Sequence, residues 1–196
     1  MMLSNEQHDL LCELINIGVG RAANSLNALI NSRVTLAVPT IEVRELSEVE
    51  NSTELLTAIQ MEFGGAFKGM SSLIFPAESA SKLTSLLIGE EEDPIGLDTL
   101  RMGALCEIGN ILLNAVVGSI GNVLLEELEY SVPDYAEGTL RSLLERGAHE
   151  VDGQMILAKM EFNVEEHRIR GSVLLYFEFG SMQAFCESLN CALAAA

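Results

Sequence analysis

Basic residues are scarce in this chain of 196: 11 Lys and Arg stand against 29 Asp and Glu, a net charge of −18. That imbalance excludes a phosphate backbone or an anionic membrane surface as a natural partner, because long-range repulsion opposes both. Cysteine is also sparse. Cys12, Cys106, Cys186 and Cys191 form no CxxC pair, which points to a reduced, cytoplasmic thiol set rather than a disulfide framework. His8, His149 and His167 are scattered, and none has a neighbour at metal-ligand spacing. Uninterrupted apolar runs are short, and the expectation is that none spans a membrane. The glycines of "FGGAFKG" are not followed by Lys-Ser/Thr and a helix, so no phosphate-cradling loop is read there.

What remains is a folded, apolar-rich sequence, 48% hydrophobic, with a mean hydropathy of +0.28. Residues 4 to about 31 have helical apolar periodicity behind Ser4, a suitable N-cap with Glu6 in the first turn. "VTLAVPTIEVREL" is β-branched. Because proline cannot donate to a ladder, Pro39 marks this stretch as an edge strand, a bulge or a break between two short strands. A hairpin over 57–75 and a helix ending near Gly89 follow. After the acidic loop Glu90–Pro94 the pattern restarts: a long helix over about 98–127, an extended piece, a short helix near 138–146, a second hairpin, and a closing helix from Ser181. This order predicts an α+β fold. Residues 1–196 should form one domain of two repeats, about 1–95 and 96–196, with pseudo-two-fold symmetry. The two long helices are expected side by side on a mainly antiparallel sheet, since neither half-sheet would stand alone.

The repeat carries a constellation. At an offset of 94, Cys12, Glu13, Asn16, Ile17 and Pro39 coincide with Cys106, Glu107, Asn110, Ile111 and Pro133. At 100° per residue, Asp9, Glu13 and Asn16 share a stripe about 60° wide, opposite Leu11, Leu14, Gly18, Ala22 and Leu26. Glu107 and Asn110 take the same position on the second helix. One such pair is ordinary for an amphipathic helix; a duplicated pair with the same downstream proline is harder to dismiss. Neither pair supplies a nucleophile, a base or a metal cluster. A glutamate can hold a partner's cation, and a carboxamide can place a water beside a phosphoryl group that the partner brings. The thiols of Cys12 and Cys106 fit packing better than reactivity, and Cys186 and Cys191 read as small buried hydrophobes.

The pattern Asp9-x3-Glu13-x2-Asn16-x22-Pro39, with its second copy Glu107-x2-Asn110-x22-Pro133, resembles the signature of the CheC-type phosphatases, the CheC/CheX/FliY family. The resemblance implies that each helix docks on a phosphorylated CheY-like response regulator of chemotaxis signalling. Glu13 and Glu107 would hold its active-site lysine, and Asn16 and Asn110 would place the water attacking the aspartyl phosphate. Asp9, Pro39 and Pro133 would support the signature. No cofactor of the chain's own is implied, since Mg²⁺ belongs to the regulator. A CheD deamidase is a further implied partner, and a monomer is expected. The rival reading is a non-catalytic flagellar-switch or scaffold module that binds the phosphorylated regulator or CheD. One departure weakens the second site: Gly103 replaces the Asp or Ser of the first signature position and offers no side-chain hydrogen bond.

Overall fold

A computed structural model of the chain describes residues 3–37, 39–49, 51–89, 99–147, 154–177 and 181–195. The acidic Glu90–Pro94 join, Val38 and His149 lie outside them. Helix α1 spans Asn5–Ile30. Its start is a capping box in which Ser4 Oγ accepts the Gln7 N–H at 3.2 Å and Gln7 Oε1 accepts the Ser4 N–H at 2.8 Å. The reciprocal partner is Gln7, three residues in, with Glu6 in the first turn as expected. Its end is a left-handed Asn31 with φ of 49°. Helix α3 (Thr99–Leu124) has the same length and stops before Leu125, which also has positive φ.

Eight strands form one sheet in the order β1-β7-β8-β4-β3-β5, with β2 prolonging β1 along β7 and β6 prolonging β5 along β3. Every described pairing is antiparallel. The inner strands are two hairpins, β3 (Leu56–Gly65) with β4 (Gly69–Pro76) and β7 (Gln154–Val164) with β8 (Ile169–Phe177). They join through β4 and β8, where Leu73 meets Val173. Each edge is a strand in two pieces: β1 (Val34–Leu36) with β2 (Thr40–Glu45), and β5 (Leu128–Tyr130) with β6 (Asp134–Gly138). Each half therefore contributes four strands, because both edges are interrupted.

The interruption has one cause on both sides. From Leu36↔Phe162 to Thr40↔Lys159 the first edge strand advances four positions while β7 moves three. Between Tyr130↔Phe63 and Asp134↔Gln60, residues 131–133 oppose only 61 and 62. Each is a bulge with one extra residue, and it ends on Pro39 or Pro133, which has no N–H to lose. Ahead of the prolines, the Ala37 N–H still reaches Glu161 O at 2.9 Å, and the Ser131 N–H reaches Glu62 O at 3.0 Å.

The sheet is buried on both sides at its centre. Along β8, Val173, Leu175 and Phe177 face the main core with α1, α3, α2 (Ala77–Ile88) and α5 (Met182–Ala195). Leu174 and Tyr176 face the opposite side, where α4 (Leu140–Gly147) supplies Leu143 and Leu144. Helices α1 and α3 lie against each other: a Cβ on Gly18 would stand 2.7 Å from Val116 Cα. Helix α3 also settles onto the sheet at Gly109, where a Cβ would meet Ile59 at 2.3 Å.

Contrary to expectation from the apolar runs, α3 is by length and mean hydropathy (1.5) apolar enough to cross a membrane. Its composition has another cause here. Leu105, Ile108, Leu112, Leu113, Val116, Val117 and Ile120 are at most 5% exposed, packed as the central helix of the core.

Candidate functional site

Glu13 and Asn16 are exposed, on the side of α1 away from Leu11, Leu14, Ile15, Gly18 and Val19, all of which are buried. The helical period places them there: burial of one stripe turns the other outward. Asp9 lies on the same side, with 85% of its side chain exposed and a loose 3.6 Å contact to His8 Nδ1. Glu107 on α3 is likewise exposed, whereas Asn110 is half-buried. Among the described residues neither Glu13 nor Glu107 has an ion-pair partner, so both carboxylates stand open to an incoming cation.

The two asparagines differ in company. Asn110 Oδ1 accepts a 2.7 Å hydrogen bond from Asn114 Nδ2, one turn further along α3. The residue in the same place on α1 is Gly20, beside which a Cβ would meet nothing within 4 Å. Asn16 accordingly has no side-chain hydrogen bond among the described residues. Asn114 was not singled out in the sequence because it has no counterpart in the first copy. The signal that could have found it is the i, i+4 amide spacing on the same stripe.

The frame around the site explains why these faces stay presented. Gln7 Nε2 donates to Asn190 Oδ1 at 3.0 Å, tying the first turn of α1 to α5. Arg21 Nη1 reaches Ser119 Oγ at 3.3 Å across the two long helices. Pro39 is buried and Pro133 half-buried, each separated from its asparagine by 22 residues, at the edge-strand bulges. They shape the sheet margin and contribute no polar group.

Chemically the site is acceptor-rich and passive. Cys12 and Cys106, each adjacent to a glutamate in sequence, are half-buried. Burial raises the Cys12 thiol above its ordinary value of 9.0, with Asp9 adding to the effect, and burial then Asp134 do the same for Cys106. Neutral thiols are poor nucleophiles, which supports the packing role. Cys186 is buried as expected, but Cys191 is exposed on the outer side of α5 and is no core residue. Among the described residues no group of three or more His, Cys, Asp and Glu is placed to hold a metal ion.

No protein-family model matches the chain. Among curated proteins it is 25% identical over 167 residues to the flagellar motor switch phosphatase FliY of Bacillus subtilis, a match covering 83% of this chain and 43% of that protein. It is also 25% identical over 156 residues to the CheY-P phosphatase CheC of the same organism, covering 76% and 75%. This chain thus spans less than half the length of that FliY. The crystal structure of Thermotoga maritima FliY superposes with a TM-score of 0.80 at 16% identity, over 98% of this chain and all of that one. A CheX–CheY–BeF3–Mg complex from Borrelia burgdorferi gives 0.60 at 15% identity, over 85% and 99%. The solved structures show the fold. The sequence likeness, at 25% identity, is to FliY and CheC.

Proposed function

We propose that this chain of the CheC/CheX/FliY family is a phosphatase for a phosphorylated CheY-like response regulator, with one station on α1 and another on α3. The observation that carries the reading is the outward, unpaired Glu13 and Glu107, each with an asparagine one turn away on the same helix face. Each glutamate would meet the lysine beside the regulator's aspartyl phosphate, a charge-assisted contact that also fixes the docking angle. The neighbouring carboxamide would accept a hydrogen bond from a water and hold it in line with the phosphorus, opposite the departing aspartate oxygen. The Mg²⁺ is the regulator's own and supplies charge neutralisation there. Such chemistry asks for positioning and little else, consistent with a face that has neither nucleophile nor base.

The flagellar-switch part of the FliY relative's name favours a second reading, in which the same face grips the phosphorylated regulator without hydrolysing it. A single assay separates the two: phosphate release from a phosphorylated CheY-type regulator in Mg²⁺, with and without this protein. Acceleration above the regulator's own rate supports the phosphatase. Binding without acceleration supports the gripping module.

A further inference from the structure

The pair Asn110–Asn114 has no counterpart at the first station, and it constrains the one group the proposed chemistry depends on. A free carboxamide rotates and presents either end to its surroundings. Asn110 is held: its Oδ1 receives Asn114 Nδ2 at 2.7 Å. One lone pair of that oxygen stays open for a water's proton, and both N–H bonds remain free to donate. Asn16, facing the space beside Gly20, has no such restraint. We propose that Asn114 is a positioning residue of the second station, fixing the orientation of the Asn110 amide and offsetting the side chain missing at Gly103. The inference rests on the phosphatase reading above. It sorts the stations by role. The first docks better through Asp9, whereas the second turns over faster once docked.

The test is steady-state dephosphorylation of a phosphorylated CheY-type regulator in Mg²⁺, using backgrounds with a single working station. With the first station silenced by Asn16→Ala, adding Asn114→Ala should lower kcat about fivefold to tenfold, the worth of one neutral hydrogen bond, and leave KM unchanged. Asn114→Asp, of the same shape, should lower kcat at least as far, because a carboxylate cannot donate to Asn110 Oδ1 and draws its N–H bonds instead. An unchanged kcat, or a loss confined to KM, overturns the proposal. Should the Asn114 variants fail to fold, the converse decides. Gly20→Asn in an Asn110→Ala background has open space for its side chain, and should raise kcat at the first station by a similar factor. No rise overturns the proposal. If Asn16→Ala/Asn110→Ala keeps full activity, the phosphatase site itself is refuted. If that variant is inactive while Asn114→Ala changes nothing, only the positioning role falls.

Discussion

The two stations share Glu and Asn at the same spacing and differ in almost everything that holds them. On α1 both members of the pair are exposed, preceded by the exposed Asp9 and followed by the bare backbone of Gly20. On α3 the asparagine is half-buried and tied to Asn114, and Gly103 leaves the preceding turn open. The support itself is asymmetric. Gly109 lets α3 rest on Ile59, while the corresponding residue of α1 is the bulky, buried Ile15. The contrast teaches that identical side chains at identical spacing do not make identical surroundings. Reach and rigidity are set by neighbours one turn away, and a motif does not encode them.

The variant that breaks the comparison outright is Asn16→Ala/Asn110→Ala. It should lower phosphate release from a phosphorylated CheY-type regulator by about 100-fold or more, the scale for losing a transition-state positioning group. Regulator binding, followed by fluorescence titration, should be nearly unchanged. Glu13→Ala and Glu107→Ala should each raise the Kd of their own station about tenfold, as expected for one charge-assisted contact. Asp9→Ala should weaken docking at the first station by a smaller factor, and an unchanged Kd there would show that Asp9 adds nothing to docking. Gly18→Ala probes the packing between the helices. The new methyl would meet Val116 Cα at 2.7 Å and force α1 off α3, costing about 1–3 kcal/mol by urea denaturation. The mildest effect concerns the thiols. Cys12 and Cys106 titrate above 9.0 in the folded chain, so the unfolded chain releases those protons first. Stability should therefore be flat below pH 9 on their account and fall as pH rises through and beyond it. At neutral pH, iodoacetamide should reach the exposed Cys191 before either of them, as read by peptide mass mapping.

Much of this architecture was legible because two periods dominate the sequence. A stripe recurring every 3.6 residues announced α1 and α3, and β-branched and aromatic runs announced both hairpins, the first of them around a Gly-bearing turn. Pro39 was read as marking an edge strand, a bulge or a break, and the structure has all three; the register itself was not legible, since it depends on where β7 lies and not on the broken strand. The outward direction of Glu13 and Glu107 followed from helix geometry alone. The Asn110–Asn114 bond did not, because comparing two copies highlights what they share and hides what only one of them has. The packing of α3 on the sheet was expected from the repeat, and composition by itself would not have given it: a run of Leu, Ile and Val looks the same whether lipid or protein surrounds it.

The edge strands have a consequence for how the chain is born. Val34 pairs with Val164, about 130 residues later, and β5 and β6 reach back to complete the sheet beside β3. During synthesis the N-terminal helix and hairpin emerge long before the strand that must seat β1 and β2. Those pieces wait with unpaired backbone until the last quarter of the chain has left the ribosome. So high a contact order implies slow, late cooperative closure, and any stall before β7 appears leaves an open sheet edge available to other chains.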